Sequence, residues 1–546
     1  MTTQTHAQAQ MSPWAPFRHR AFFWLWLGVV VSSVGMWAQT VGAQWLFVDD
    51  PNAATIVTLV QTASTLPMML LALPAGVLAD AFDRRWLMLA VQVYFVVVTL
   101  LLAGLTAAGL MAPALLLAFT FAIGAGGALL LPTWQALITE LVPRQELTAA
   151  TRLDMVSVNV ARAAGPALAG VVIAHWGVPP VFAMSAAAFG VLAVVLLAWR
   201  RPQVRHGERE PFVPALVAGG RYVRHEPVVR RILLRLATFI TPACAVWALL
   251  PLIASQQLGL DADGYGLLFA ALGLGAVMGA LCLGWVKQHL SSNGVLGMAA
   301  TCFALAFGFL ALAPSAGAAL PLLVVCGFGW TATVSTIISE LQLFLPGWVR
   351  ARAIAIYLTV FLGSQSVASP IWGLVTQRFG LRPALLAAAL LVGVSAAAGL
   401  VLHVPENQHL DRTPVAYWGA AAVALEPEPD AGPIVVSLEY EVSADHEAEF
   451  LAAMESMRRS RLRSGASRWG LYRVGESPDL FLEQFQVQTW QEHQRQHDGR
   501  LTAEDQAIED AALAHAVGPP RTQHLLPPTT LRTSLSPTPR GPESTW

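Results

Sequence analysis

About twelve apolar segments fill roughly the first 400 residues of the chain, and the second six echo the first six. Pro143 and Pro346, which close two of these segments, are separated by 203 residues, as are Gly177 and Gly380. A period this long indicates a duplicated half rather than a solenoid repeat. Two similar six-span halves with a binding site between them are typical of a secondary transporter.

The composition agrees with a polytopic membrane protein. The chain is 55% hydrophobic and 12% charged, whereas an ordinary soluble domain is about 25% charged. Segments of about 20 apolar residues match a hydrocarbon core of roughly 30 Å. The segments are predicted to start near Phe22, Ala54, Trp86, Ala112, Met155, Val178, Ile232, Gly266, Val295, Leu320, Ile354 and Ala384.

Basic residues are concentrated in the loops on one side of the predicted membrane. With the N-terminus inside, the outer loops hold only Arg378 and Arg382. The inner loops hold Arg84, Arg85, Arg144, Arg200, Arg201, Arg205, Arg209, Arg221, Arg224, Lys287, Arg350 and Arg352. The positive-inside rule therefore predicts that both termini are cytoplasmic. The expected location is the cell (inner) membrane.

These patterns divide the chain into a membrane part and a soluble part. The predicted segments are a cytoplasmic N-terminus (1–20), two six-helix halves (21–199 and 230–404), a cytoplasmic central loop (200–229), a linker (405–432), a soluble domain (433–526) and a disordered tail (527–546). The fold class is therefore an all-α polytopic membrane protein with a small α+β domain. All four cysteines fall inside predicted spans, so a disulfide framework is not expected.

The loop after the second segment carries a glycine, an aspartate and a basic pair. These residues are Gly76, Asp80, Arg84 and Arg85. They resemble the loop motif of the major facilitator superfamily, although Ala81 and Asp83 stand where the family usually has a basic residue and a glycine. The resemblance implies the major facilitator fold and a latch that joins the halves when the carrier faces outward. The alternative is a solvated loop that follows the positive-inside rule.

Two more specific strings lie in the fourth and fifth segments. Glu140-Leu-Val-Pro143 ends the fourth, and Asn159-x-x-Arg162-x-x-Gly165-Pro166-x-x-x-Gly170 lies in the fifth. They resemble the exporter branch of that superfamily that includes the enterobactin exporters and the transmembrane secretion effectors. The resemblance covers about residues 15–405 and implies export driven by the proton gradient.

Gly165, Pro166 and Gly170 form a predicted helix-bend motif. Proline removes a helix hydrogen bond and bends the span, and the glycines allow a neighbouring helix to approach closely. A bent helix where the two halves meet can rock during transport or close the path between them. The alternative is ordinary packing, since both residue types are common in membrane helices.

Arg162 is the most informative single residue, because a cation inside a span is costly unless it faces a cavity or a partner. Asn159 lies one turn earlier on the same helix face, and Asp154 lies two turns back and can pair with Arg162. These three residues are candidates for solute binding or coupling. The alternative is a structural ion pair.

Three further candidates are Gln39, Gln135 and Glu340. Glu340 either exchanges protons within the span or reaches water at the inner interface. Amides and tryptophans in mid-span line a cavity or join helices. The wider set of such side chains is Trp37, Gln39, Gln61, Gln92, Trp134, Gln135 and Gln365. A largely uncharged cavity of this kind favours an amphipathic organic solute.

The soluble domain has the order strand, helix, strand, strand, helix, strand, which is ferredoxin-like. It resembles the small dimeric barrels of the antibiotic-biosynthesis monooxygenase type, which implies a possible homodimer. Some relatives are enzymes, and the candidate side chains here are His446, Trp469, His493 and His497. His493 and His497 have the spacing of metal ligands on a helix, but their polar flanks predict a solvated face and no third ligand is apparent. A dimerisation or regulatory module without a metal is therefore predicted.

The sequence as a whole predicts a transporter, not an enzyme. The predicted transporter exports a small amphipathic solute, such as a siderophore, drug or metabolite, by alternating access and proton antiport. Its partners are the lipid bilayer, the solute and protons, with no nucleic acid and no cofactor. The absence of a Gly-x-x-x-x-Gly-Lys-Ser/Thr loop argues against ATP drive. An importer, a membrane-tethered enzyme and a sensor with vestigial transport stay open as alternatives.

Overall fold

The computed structural model describes residues 14–199, 212–404, 415, 418, 423 and 427–528. The chain forms two compact units. The membrane unit comprises Met1–Arg209, Arg231–Ser339 and Ala355–Val404, and the tail unit comprises Glu210–Arg230, Glu340–Ile354 and Pro405–Trp546. Residues 1–13 of the predicted N-terminus, 200–211 of the central loop, most of the linker and 529–546 of the predicted disordered tail lie outside the described residues.

Among the described residues, 12 helical segments are long and apolar enough to cross a bilayer, which confirms the predicted number. The helices of the first half are α1 (Arg20–Trp45), α2 (Ala53–Ala81), α3 (Arg84–Ala107), α4 (Pro113–Leu141), α5 (Leu147–Trp176) and α6 (Pro179–Ala198). Those that follow are α7 (Phe212–His225), α8 (Pro227–Ala243), α9 (Ala245–Leu252), α10 (Ala262–His289), α11 (Ser292–Leu310), α12 (Ala316–Phe344), α13 (Gly347–Phe379) and α14 (Leu381–Ala398).

The repeat that the sequence shows is also present in the backbone. Gly177 follows α5 with φ 81°, and Gly380 follows α13 with φ 90°. A residue with a side chain is strained at such angles, so glycine is required at both turns. Equivalent turns therefore end the fifth span of each half.

The fifth and eleventh spans begin earlier than the apolar pattern predicts. The predicted starts were Met155 and Ile354, whereas α5 begins at Leu147 and α13 at Gly347. Their first turns contain charged residues such as Arg152 and Arg350. Hydropathy alone misses such turns, because a helix continues past its apolar run when its polar side chains reach water.

Two apolar clusters form much of the core of the first half. One packs Phe22, Met88, Leu137 and other side chains of α1, α3 and α4 together with α5 and α6. The second packs around Phe95 and Phe189, whose ring centroids are 5.0 Å apart. These clusters fix the positions of the helices that carry the polar side chains described below.

The tail unit contains a four-stranded antiparallel sheet, which confirms the predicted ferredoxin-like order. Its strands are β1 (Ile434–Glu441), β2 (Arg468–Val474), β3 (Ser477–Val487) and β4 (Arg521–Leu525), arranged β2-β3-β1-β4. Its helices are α15 (Glu447–Ser464), α16 (Trp490–Arg495), which continues as a π-turn over Gln496–Arg500, and α17 (Ala503–Leu513). The side chains of Val436, Tyr440, Phe450 and Phe485 lie at the centre of its core.

The described part of the predicted central loop (200–229) contains the helix α7. α7 and the segment Glu340–Ile354 belong to the tail unit. Within this unit Arg221 donates to the carbonyl of Gly465 at 2.7 Å, and Arg463 contacts Glu226 at 2.8 Å. Trp348 Nε1 donates to the carbonyl of Arg500 at 3.2 Å. The soluble domain is thereby bonded to α7 and to the segment Glu340–Ile354 within the tail unit.

Candidate functional site

A cavity of about 320 Å³ lies between the two halves of the membrane unit. The first half contributes side chains from α1, α2, α4 and α5, and the second half contributes them from α9, α10, α12 and α13. The lining residues are Met36, Trp37, Gln39, Thr40, Gln44, Gln61, Ser64, Thr65, Met68, Thr120, Ile123, Gly124, Arg162, Trp247, Phe269, Trp330, Phe361, Leu362 and Gln365.

The cavity wall presents hydrogen-bond donors that have no partner. In the part of the chain that the structure describes, Gln39 Nε2, Arg162 Nε and Trp247 Nε1 are buried without a hydrogen bond. None of the described lining residues is a carboxylate. Because a buried donor without a partner is costly, these groups are suited to a solute that carries acceptor oxygens.

Arg162 lies over an aromatic ring and forms no ion pair with any residue that the structure describes. Its guanidinium carbon lies 5.5 Å from the centroid of Trp37, within the range of a cation–π contact. Gly165 brings α5 against α1 here, since an added Cβ would lie 2.6 Å from Trp37 Cβ. The glycine of the helix-bend motif thus places Trp37 beside Arg162.

The halves meet tightly at the end of the cavity near the α1–α2 and α5–α6 turns. An added Cβ on Gly170 would lie 2.7 Å from the carbonyl oxygen of Ala262 and 3.1 Å from Gly266 Cα. Tyr265 Oη donates to Gln44 Oε1 at 2.6 Å, and its ring stacks on Trp45 at 5.3 Å. These contacts close this end of the cavity.

A second seam joins α2 to α13. Thr65 and Ser366 share a hydrogen bond of 2.8 Å between their hydroxyls, and Thr62 donates to the carbonyl of Ser366 at 3.1 Å. An added Cβ on Gly373 would meet Thr58 Oγ1, which shows how closely the helices pack. Small residues therefore line both seams.

Asp154 and Arg162 do not contact each other in the structure. Asp154 accepts a hydrogen bond from Trp134 Nε1 at 2.7 Å, and no ion pair with Arg162 occurs among the described residues. Trp134 binds one oxygen of this carboxylate, and a role for Asp154 or Arg162 in solute binding or coupling stays a prediction. Asn159 donates to the carbonyl of Met155 at 2.9 Å and does not line the cavity.

The other predicted polar residues divide into two groups. Trp37, Gln39, Gln61 and Gln365 line the cavity. Gln92 is buried and accepts from Ser32 at 3.2 Å, whereas Gln135 is exposed. Glu340 is 7% exposed, belongs to the tail unit and is not among the lining residues.

The arginines of the loop motif form bonds within the first half. Arg84 pairs with Glu140 and donates to the carbonyl of Ala136 at 3.2 Å. Arg85 donates to the carbonyl of Leu196 at 2.8 Å. A Cβ on Gly76 would meet nothing within 4 Å, and the side chain of Asp80 lies outside the described residues.

Several cavity residues of the second half were not identified from the sequence. They are Trp247, Phe269, Trp330 and Phe361, whose rings form a chain of contacts with centroids 5.4–6.1 Å apart. Aromatic residues are common in membrane cores, so composition alone does not distinguish them. Their position opposite Arg162 on the facing half is the signal that identifies them.

The tail unit buries charges in pairs. Arg461 is 1% exposed and contacts Glu483 at 3.1 Å and Glu509 at 3.0 Å. Burial alone would lower the pKa of Arg461, but these two carboxylates outweigh it and hold the pKa above its usual value. This network joins β3 to α15 and α17 beside the apolar core.

The predicted solvated histidine face in the tail is wrong. His493 is 1% exposed, and burial lowers its pKa to about 4. His493 packs against the rings of Trp490, on the same helix, and of Trp418. Their centroids lie 5.5 and 6.5 Å from that of His493. A third histidine, His524 on β4, lies beside it, with its Nε2 3.0 Å from His493 Nε2.

A family model described as transmembrane secretion effector matches residues 11–531. The chain belongs to this family. It is a multi-pass membrane protein with the major facilitator fold, as the 12 spans and the structural neighbours below agree. The secretion effector match runs through the soluble domain as well as the spans.

Curated relatives match part of this secretion effector. An enterobactin exporter of Salmonella choleraesuis is 31% identical over 199 residues, which are 36% of this chain and 47% of the relative. A staphyloferrin A transporter of Staphylococcus aureus is 22% identical over 275 residues, which are 49% of this chain and 69% of the relative. The match thus spans about half the length of the enterobactin exporters.

Solved transporters share the fold at low identity. A bacterial homologue of the human lysosomal transporter Spinster, in an inward-facing and unoccupied conformation, has a TM-score of 0.56 at 14% identity, covering 71% of this chain and 97% of that one. A mutant of the nucleoside transporter NupG has a TM-score of 0.58 at 11% identity, covering 69% of this chain and 100% of that one.

Proposed function

We propose that this protein is a secondary active transporter that exports a small amphipathic organic solute by alternating access. The observation that supports this most strongly is the cavity between the halves, with Arg162 in its wall and no lining carboxylate among the described residues. Solute sites of such carriers lie between the repeats near the bilayer midplane. The enterobactin exporter relatives support the direction of export, and the staphyloferrin A transporter relative supports transport of a siderophore-like solute.

The chemistry of the wall favours a solute with aromatic or apolar surface and several acceptor oxygens. The rings of Trp37, Trp247 and Trp330 offer apolar faces, while Gln39 and Arg162 offer donors. A charge-assisted hydrogen bond is worth about 1.5–3 kcal/mol. Siderophore-like solutes have this combination, and a cationic drug does not use the arginine.

We further propose that protons drive export and that both termini are cytoplasmic. The asymmetry of basic residues between the two sets of loops supports this orientation. Because the described cavity wall lacks a carboxylate, the proton carriers are expected outside it, with Asp154 and Glu340 as candidates. Closure of the α1–α2 end would then correspond to an inward-facing state.

The soluble domain is proposed to regulate the carrier by holding the central loop. Its bonds to Glu226 and Trp348 within the tail unit support this role. Homodimerisation through the sheet is the alternative, and an enzymatic role for this domain is a further one. Size measurements on the purified carrier distinguish a monomer from a dimer.

The test compares Arg162→Ala with Arg152→Ala, which removes an exposed arginine from the same helix. Efflux of enterobactin and of staphyloferrin A is measured from loaded cells, with and without an uncoupler. We expect Arg162→Ala to lower flux at limiting solute by roughly tenfold or more, which corresponds to one charged hydrogen bond. Arg152→Ala should retain wild-type flux.

Three results would contradict parts of this proposal. Flux that survives Arg162→Ala removes this arginine from the solute path. Uncoupler-insensitive efflux rules out the proton gradient as the driver. Accumulation of solute inside expressing cells, in place of efflux, would establish the importer.

A further inference from the structure

Three histidines of the tail unit converge on one point. His493 lies on α16, His497 on the π-turn that follows it, and His524 on β4. One ring nitrogen from each lies within 4.8 Å of the others. His493 Nε2 is 3.3 Å from His497 Nε2 and 3.0 Å from His524 Nε2. Three imidazole nitrogens facing one another in this way form a potential metal site.

These separations match metal coordination. Bonds of about 2.0–2.1 Å at tetrahedral angles place the nitrogens bound to Zn²⁺ roughly 3.3–3.4 Å apart. Two of the pairs already have this spacing within a few tenths of an ångström. The third pair, at most 4.8 Å apart, needs only a small shift to close around an ion.

Hydrogen bonding among the rings does not account for the cluster as well as a metal does. His493 Nδ1 lies 3.1 Å from Gln496 Oε1, which can only accept, so Nδ1 carries the proton. A neutral ring then has one lone pair, at Nε2, which accepts one hydrogen bond. Two neighbouring nitrogens nevertheless face it, whereas a metal ion satisfies all three at once.

The bond from His493 to Gln496 is also what metal-binding histidines usually have. An acceptor behind the ring fixes the tautomer and directs the free nitrogen toward the ion. His497 and His524 are half-buried, so the cluster is open to solvent on their side while His493 anchors it. Ligands from α16, its π-turn and β4 would join the last strand to the helix.

We propose that His493, His497 and His524 bind one divalent first-row transition metal ion, such as Zn²⁺, through their Nε2 atoms. Imidazole ligands suit Zn²⁺, Cu²⁺, Ni²⁺ and Fe²⁺. Three protein ligands leave a coordination position for water or another small ligand, unlike a closed four-ligand structural site. The proposal is independent of the transported solute.

The test uses the full-length protein purified without a polyhistidine tag and stripped by a chelator. Zn²⁺ binding is measured by calorimetry and metal content, and Co²⁺ reports tetrahedral coordination through its visible absorption. The variants His497→Ala and His524→Ala remove half-buried ligands, and His446→Ala removes an exposed histidine of the same domain as a control.

We expect the wild type and His446→Ala to bind one ion, and each ligand variant to lose affinity by at least about tenfold. Bound metal should also slow amide exchange in Arg521–Leu525 of the wild type but not of the variants. This second readout separates metal loss from misfolding, because a folded variant keeps its metal-free exchange pattern. Equal affinity in all proteins, or no binding by the wild type, overturns the proposal.

Discussion

Buried arginines have opposite surroundings in the two units. Arg461 in the tail unit contacts Glu483 and Glu509 at 3.1 and 3.0 Å. Arg162 in the membrane unit has no ion pair among the described residues and lies beside the ring of Trp37 at 5.5 Å. Both side chains line or fill interior space, but only the first is neutralised by the protein itself.

This difference separates a structural charge from a functional one. Removing one partner of a buried pair leaves the other charge uncompensated, so Arg461 is required by the acids around it. No such acid requires Arg162 among the described residues of the cavity wall. A cation kept in a span without a partner is a candidate for binding a solute. The partners of a buried charge indicate its role, whereas burial alone does not.

The largest expected effect is that of Arg461→Met in the tail. The change leaves Glu483 and Glu509 buried without their cation and should lower the free energy of unfolding of this domain by about 3–5 kcal/mol. Amide exchange within the full chain measures this. Arg458→Met, at an exposed i,i+3 pair on the same helix, is the control and should change stability by less than about 1 kcal/mol. Similar losses in both variants would remove the structural role of Arg461.

A smaller effect is expected from Glu226→Gln, which tests the bond between the central loop and the soluble domain. Glu226 is 4% exposed and 2.8 Å from Arg463, which keeps Asp505 as a second partner at 2.7 Å. Loss of one charged hydrogen bond should destabilise this contact by about 1.5–3 kcal/mol. Faster proteolysis of α7 would report it.

The matched control for that contact is Glu504→Gln, which weakens a longer and more exposed contact to the same arginine, at 3.4 Å. It should leave proteolysis of α7 close to that of the wild type. Equal protection of α7 in Glu226→Gln and the wild type would show that the ion pair does not hold the central loop.

The membrane unit depends on close backbone packing where the tail depends on charge pairs, and Gly170→Val tests this. Its Cβ would lie 2.7 Å from the carbonyl oxygen of Ala262, so the α5–α10 seam must separate. Overpacking costs about 1–3 kcal/mol. We expect spin-label distances across this seam to lengthen, whereas Gly104→Val, with nothing within 4 Å, should leave them unchanged. Unchanged distances in Gly170→Val would contradict a seal at this seam.

Much of the fold could be predicted from periodicity, because spans and strands are local patterns. The span number and the ferredoxin-like order are both confirmed, and Arg162 could be identified because a cation interrupts an apolar run. Its surroundings could not be predicted. Trp134 on α4 donates a hydrogen bond to Asp154 on α5, and this bond depends on how the two helices pack.

The histidine cluster shows the same limit. The i,i+4 spacing of His493 and His497 is local, so it was visible in the sequence. His524 lies 27 residues beyond His497 and joins them only because β4 pairs with β1 at the edge of the sheet. The polar flanks of His493 also suggested exposure, although tertiary packing buries it. Long-range pairing and burial are the two facts that a local pattern does not contain.

The smallest expected effect on stability is that of Arg162→Met. This variant tests whether Arg162 differs from Arg461 in having no structural partner. If no acid of the protein requires this cation, an apolar side chain of similar length removes a desolvation cost and leaves no charge unpaired. The free energy of unfolding should change by less than about 1 kcal/mol or increase, while solute efflux at limiting solute falls by roughly tenfold or more. Thermal unfolding of the purified carrier, measured beside its transport, tests both halves of this expectation. A loss as large as that of Arg461→Met would mean that Arg162 also has a structural partner, and the distinction between the two arginines would fail.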